Sequence, residues 1–178
     1  MANIIIKKIS SEVLPENFNC GNSSINALVS ESYYPTILQH AYAYQISSEN
    51  VVLGYYMLKF LKIKLEECPE EISEHYSDFC QDCFSVHVSY IAVDSRYQKK
   101  GIGTIIIKHI VSSVMELCES WPVRLITLDA LKERYEWYCD LGFCAFNEED
   151  RDNTEPTIKM YWDCLLDPEA VYNYENDV

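Results

Sequence analysis

Tyr90-Ile91-Ala92-Val93-Asp94-Ser95-Arg96-Tyr97-Gln98-Lys99-Lys100-Gly101-Ile102-Gly103-Thr104 is the stretch on which the reading of this chain turns. It begins inside an apolar run, Cys83 to Asp94, that predicts a buried central strand, and it leads into Ile102 to Leu117, which predicts a helix. Between them, Ser95 to Gly103 predicts a loop with two glycines and three cations, Arg96, Lys99 and Lys100. The start of a helix leaves four N–H groups without intrahelical partners and carries partial positive charge. Glycine lets that backbone come close to an anion. The stretch therefore reads as an anion-binding turn, with an ordinary left-handed turn before a helix as the plain alternative. It is not a P-loop, because no Gly-Lys-Ser/Thr follows. It is not a dinucleotide fingerprint, because Ile107 or a near neighbour stands where the third glycine belongs.

Upstream, Asn3 to Ile9 predicts a first strand and Phe18 to Ser23 a polar turn. Ser24 to Leu38 predicts a helix with Ile25, Leu28 and Val29 on one face. Ala41 to Ile46 and Val51 to Lys64 predict strands paired as a hairpin through Ser47 to Asn50. Leu65 to Asp82 is acidic and irregular. It reads as a solvated excursion over a substrate cleft, or more sharply as a cation-attracting lip. Downstream, Arg124 to Asp129 predicts a strand and Leu131 to Leu141 a short helix ended by Gly142. Phe143 to Asn147 and Thr157 to Cys164 predict the last strands. Residues 1–166 then form one α/β domain, a mixed, mostly antiparallel sheet of six to seven strands with helices on both faces. Residues 167–178 read as an acidic tail, mobile unless Tyr172 and Tyr174 dock.

The chain has 178 residues, 48% of them apolar, enough for an ordinary core. It has no run of ~18 apolar residues for a membrane span. Its first residues lack the pattern of a signal peptide, so a cytoplasmic protein without membrane contact is expected. Its 14 basic and 28 acidic residues give a net charge of −14. That surface repels nucleic acid at long range and attracts cationic substrates. The eight cysteines are expected as free thiols. Cys80, Cys83, His75 and His87 have the residue types of a zinc site. The plainer reading puts Cys83 and His87 on a strand and Cys80 in a loop, and no metal is expected.

The quoted stretch resembles the signature strand and acyl-CoA loop of the GNAT N-acetyltransferase superfamily, and the resemblance spans about Asn3 to Cys164. It implies the GNAT fold, acetyl-CoA as cosubstrate, and main-chain donors on Gln98, Lys99, Lys100, Gly101, Ile102, Gly103 and Thr104 around the pyrophosphate. It also implies that the edge of Ile91, Ala92 and Val93 pairs with the pantetheine arm as an added strand would. Trp137-Tyr138-Cys139-Asp140-Leu141-Gly142-Phe143 is similar to the family's aromatic-Tyr-x-x-x-Gly-Phe segment. This implies that Tyr138 lies beside the CoA sulfur, where a phenol can protonate or stabilise the leaving thiolate. An oxyanion donor is implied at a backbone N–H near Ile91 or Val93, at a strand bulge. Lys132 stands near the place of a family asparagine that contacts CoA. Asp129, Ser89, His87, Tyr90 and water remain open as the base.

Phe18-Asn19-Cys20-Gly21, followed by Ile25-Asn26 and Leu28, resembles the opening of one GNAT branch, and Gly54-Tyr55-Tyr56 fits it too. That branch includes toxins of toxin–antitoxin modules that acetylate aminoacyl-tRNA, and it implies an antitoxin as partner. The acidic surface opposes tRNA. The sequence reading is therefore an acetyltransferase for a primary, cationic amine (a polyamine, small amine or lysine side chain) with a homodimer possible. The tRNA-directed toxin and a non-catalytic acyl-CoA-binding module are its alternatives.

Overall fold

A computed structural model describes residues 4–74 and 81–176. Its strands are β1 (Ile4–Lys8), β2 (Tyr42–Ser48), β3 (Val51–Lys64), β4 (Asp82–Val93), β5 (Val123–Leu131), β6 (Cys144–Ala145) and β7 (Thr157–Asp163). They form one seven-stranded sheet in the order β1-β2-β3-β4-β5-β7-β6. The β4–β5 pair is parallel and the other pairs are antiparallel. The helices are α1 (Ser23–Glu31), α2 (Tyr33–Ile37), α3 (Glu70–Ser73), α4 (Ile102–Cys118), α5 (Tyr135–Cys139) and α6 (Pro168–Asn176).

The consecutive buried residues in the middle of β3, Leu53 to Met57, follow from cover on both faces of the sheet. Tyr55 and Tyr56 are neighbours in sequence and both are buried, but they enter different cores. Tyr55 joins Val29, Ala43, Tyr90 and Ala92 beneath α1. Tyr56 joins Val86, Val88, Ile126 and Leu128 beneath α4. The stripe Ile106, Ile107, Ile110 and Val114 is the buried face of α4. Each such side chain contributes about 1.5–3 kcal/mol on burial, so this stripe fixes α4, and with it the preceding loop, against β4 and β5. The β2–β3 hairpin turns through Glu49 (φ 51°) and Asn50 (φ 66°), the doubly left-handed turn that matches strand twist.

Between β4 and β5, pairing runs from Phe84↔Val123 to Val88↔Leu128 and stops, while β4 continues to Val93 and β5 to Leu131. On the other side of β4, the register steps from Leu58↔Val88 to Met57↔Tyr90, so Ser89 is bulged out of the β3 ladder. The two strands part at this point, and their parting opens the cleft described below. The bulge thus lies at Ser89, two residues before Ile91 and four before Val93, the positions near which it was expected.

Two expectations are corrected. The helix from Ser24 to Leu38 is two helices, because Pro35 has no N–H for the Glu31 carbonyl. The break is stabilised by Ser32 Oγ donating to Val29 O (2.6 Å) and Thr36 Oγ1 donating to Ser32 O (2.8 Å). The acidic segment does not cover or rim the cleft with any described residue. Leu65 and Ile72 instead anchor it to Ile63, Cys83 and Leu125, at the opposite end of β4 from the splay. Within the C-terminal segment, residues 168–176 form α6, on which Tyr172 and Tyr174 are exposed. Among the described residues, no helix is long and apolar enough to cross a membrane.

Candidate functional site

The splay of β4 and β5 opens a cleft of about 770 Å³. Its walls are the free ends of both strands, the loop into α4, the segment from Cys20 to Leu28, and α5.

The loop is built around an ion pair between buried Asp94 and the exposed side chain of Arg96. Asp94 is 2% exposed and receives Arg96 through Nε (2.8 Å) and Nη2 (2.9 Å). The side-chain bond from Arg96, opposed by burial, holds the Asp94 carboxyl below its ordinary value. The Arg96 charge is therefore spent on the fold. Lys99 (φ 58°) and Gly101 (φ 79°) both adopt left-handed backbone. Gly101 caps α4 with no side-chain hydrogen bond, so the first N–H groups of this helix are left for another acceptor. A Cβ built on Gly101 meets nothing within 4 Å, whereas one built on Gly103 meets the Trp137 ring at 3.3 Å. Trp137 thus lies directly on the first turn of α4.

Trp137 also orients Tyr138, whose ring meets it edge-on at 4.7 Å and meets Phe143 at 5.7 Å. Gly142 (φ 89°) ends this helical segment, and Phe143 N returns to Tyr138 O (3.1 Å). Tyr138 lines the cleft. Burial pushes its phenol up to about 12, with Arg134 pulling the other way.

Of the residues expected at the coenzyme, Ile91, Val93, Gln98, Lys99, Gly101, Ile102, Gly103 and Thr104 line the cleft with Tyr138. The remaining three do not. Ala92 is 2% exposed and packs beneath α1. Lys100 Nζ donates to Arg96 O (3.1 Å) and lies over the Tyr97 ring. Lys132 Nζ donates to Asn153 O and Asn153 Oδ1 and so is tied to the loop before β7, while Glu133 and Arg134 occupy the cleft wall. The Gln98 carboxamide faces the protein, donating to Cys20 O (2.7 Å) and Val93 O (3.0 Å).

Gln98 thereby fastens the segment from Cys20 to Leu28 to the loop. Asn19 Oδ1 accepts from Gly21 N (2.8 Å) and Asn26 Nδ2 (2.9 Å), and Asn26 Oδ1 accepts from Cys20 N (2.9 Å). Ser95 N donates to Asn19 O (2.9 Å). The sequence marks this clasp by its two asparagines but does not show that the clasp makes a cleft wall.

Among the candidate bases, Asp129, Ser89 and Tyr90 border the cleft. Tyr90 is buried in the core beneath α1. His87 Nδ1 is 3.1 Å from Thr127 Oγ1, and its Nε2 is 4.0 Å from Asp129 Oδ2, beyond hydrogen-bond reach. Burial lowers the His87 value, against the pull of Asp129, so the ring is neutral near pH 7. Cys83 lies 3.8 Å from Cys68, and His75 and Cys80 fall outside the described residues. Among the described residues, no three His, Cys, Asp or Glu side chains group as metal ligands.

A mixed sheet whose one parallel pair splays beside a glycine-capped helix is the GNAT fold. Solved structures share it. A tyrosine-to-phenylalanine mutant of KacT matches 90% of this chain and 95% of its own at 19% identity, with a TM-score of 0.77. AtaT complexed with acetyl-methionyl-tRNAfMet matches 98% and 100% at 15% identity and a TM-score of 0.75. AtaTR bound with acetyl-CoA matches 90% and 94% at 18% identity and a TM-score of 0.70. These likenesses are of fold. No protein-family model and no curated protein matches the chain.

Proposed function

We propose that this protein is an acetyl-CoA-dependent N-acetyltransferase whose acceptor is the amino group of an aminoacyl-tRNA. One observation carries the acyltransferase reading: the unpartnered start of α4 and the Tyr138 phenol face a single cleft, opened where β4 and β5 part. That gives one cavity a place for a diphosphate and a donor for a sulfur. The tRNA acceptor is supported by the shared fold of AtaT, solved with acetyl-methionyl-tRNAfMet. It is also supported by cations free of ion pairs among the described residues. Lys59 stands opposite His87 in the β3–β4 register, close to where β4 and β5 part, and Lys159 stands opposite Asp129 in the β5–β7 register with its Nζ over the Phe146 ring (4.0 Å). AtaT has also been solved bound to the C-terminus of its antitoxin AtaR, and an inhibitor protein of that kind is the partner this reading proposes.

Acetyl-CoA supplies the activated thioester. The loop from Lys99 to Thr104 holds its diphosphate through main-chain N–H groups, and the free edge at Ile91 and Val93 aligns the pantetheine arm. A neutral amine attacks the carbonyl carbon and the C–S bond then breaks. Tyr138, at about 12, is a weaker acid than the ~8.5 of a free thiol. Its hydroxyl therefore stabilises the departing thiolate by donating a hydrogen bond, and full proton transfer is uphill. No buried carboxylate is needed as base, since Asp129 and water both reach the cleft.

The net charge of −14 favours a second acceptor, a small polycation. Thiol release from acetyl-CoA, followed with charged tRNA, polyamines and lysine peptides, separates the two. Turnover on charged tRNA, with growth arrest on expression, supports the proposal. Turnover confined to polyamines or peptides replaces it with the second acceptor.

A further inference from the structure

Ser89 occupies the one position of β4 at which both neighbouring strands release it. The β3 register skips it, and the β5 pairing ends at the residue before it. Its Oγ is sealed from solvent and has no hydrogen-bond partner, although the residue lines the cleft. A buried hydroxyl left unpaired is destabilising and calls for an explanation. Among the described residues two other buried hydroxyls lack a partner: Ser48 Oγ, at the β2–β3 turn and outside the cleft lining, and Tyr90 Oη, whose residue borders the cleft but packs in the core beneath α1.

We infer that Ser89 is a further catalytic residue, whose hydroxyl donates a hydrogen bond to the thioester carbonyl oxygen as that oxygen gains charge. In the addition step the amine nitrogen bonds to the carbonyl carbon, and the C=O π pair moves onto oxygen. The nitrogen, now cationic, gives up a proton to Asp129 or water; in the collapse step the oxygen pair re-forms C=O and the C–S bond pair leaves on sulfur. Ser89 keeps its proton throughout. A donor held in a water-poor bulge needs no reorganisation when charge develops, which is where such donors act most strongly. The role also accounts for the bulge, which lifts one residue out of a buried ladder at the apex of the cleft. The inference rests on the acetyl-CoA reading given above but not on which amine is the acceptor.

The test uses acetyl-CoA labelled with ¹³C at the carbonyl, bound to the intact protein and read by isotope-edited infrared spectroscopy. The carbonyl band of the wild-type complex should fall below that of free acetyl-CoA. Ser89→Ala should return it toward the free position, with acetyl-CoA affinity weakened by no more than about tenfold, the loss of one hydrogen bond, and a melting temperature no lower than wild type. Ser89→Thr should retain the lowered band, and Ser48→Ala should leave it as in wild type. With any accepted amine, Ser89→Ala should lower kcat about 10²-fold or more, the effect of removing one oxyanion donor. A Ser89→Ala complex with the wild-type band position and kcat overturns the inference and leaves the acetyl-CoA reading standing. A wild-type protein that binds no acetyl-CoA overturns both.

Discussion

Gly101→Ala isolates the conformational demand of the coenzyme loop. Gly101 has φ 79°, and the space around its Cβ position is empty. The substitution therefore adds no clash, and its whole cost is that of holding an L-residue in left-handed backbone, about 1–2 kcal/mol. That strain has two possible outlets. If the loop keeps its shape, the folded state loses the full amount, and a chain of this size melts about 2–4 °C lower per kcal/mol. The residue is exposed, however, and its side chain anchors nothing, so the empty loop relaxes and sheds the strain. Binding a diphosphate must then restore the left-handed turn. The 1–2 kcal/mol appears as a CoA dissociation constant raised about 5–30-fold, at 1.4 kcal/mol per factor of ten. Calorimetric titration with CoA, beside a thermal melt, measures both outlets. Gly101→Asn should fall between wild type and alanine, because asparagine tolerates this backbone. Gly101→Val, with a β-branched side chain, should bind worst. Wild-type affinity and melting temperature in Gly101→Ala would refute the assignment of strain to this turn.

Tyr138→Phe should retain acetyl-CoA affinity and lose at least ~10²-fold in kcat, and unchanged kcat would remove the phenol from the reaction. Gln98→Ala cuts two hydrogen bonds that fasten the Cys20 segment to Val93. At ~1 kcal/mol each it should lower the melting temperature by about 4–8 °C and weaken CoA binding, and an unaltered melt would show the clasp to be idle. Burial pushes the phenols of Tyr90, Tyr138 and Tyr161 up to about 12. Each has a folded value above the unfolded ~10, so its contribution to stability is complete below pH 10 and is lost as pH rises toward 12. The Cys68 and Cys164 thiols, also raised by burial, begin the same loss lower, near the ordinary thiol value. Melting temperatures measured from pH 7 to 12 should therefore decline from about pH 9 and steepen above 10, and a level profile across that range would contradict the burial of these groups.

The strands and the glycine turn before α4 were legible because each is written in local pattern. Leu53–Met57 is apolar because both faces of the sheet are covered there, and Gly101 and Gly103 stand where a strand turns into a helix. The break of the first helix was legible in principle from Pro35, but the apolar spacing beyond it masked the stop. Long-range partners were not legible. Nothing local tells that Arg96 is neutralised by a buried Asp94, that Lys132 is drawn to Asn153, or that Gln98 reaches across to Cys20. The acidic segment misled because its charges are conspicuous, while the two residues that place it, Leu65 and Ile72, are apolar and few. Ser89 was one candidate base among several. Its position at the apex depends on two register steps in neighbouring strands, which no single segment encodes.

The whole account depends on main-chain amides gripping a diphosphate so that a thioester lies beside a phenol. A crystal structure of the protein with acetyl-CoA measures this directly. The account predicts pyrophosphate oxygens at hydrogen-bond distance, about 2.7–3.2 Å, from the amide nitrogens between Lys99 and Thr104, with the sulfur against Tyr138. Acetyl-CoA seated elsewhere, with those amides turned into the protein, would contradict it.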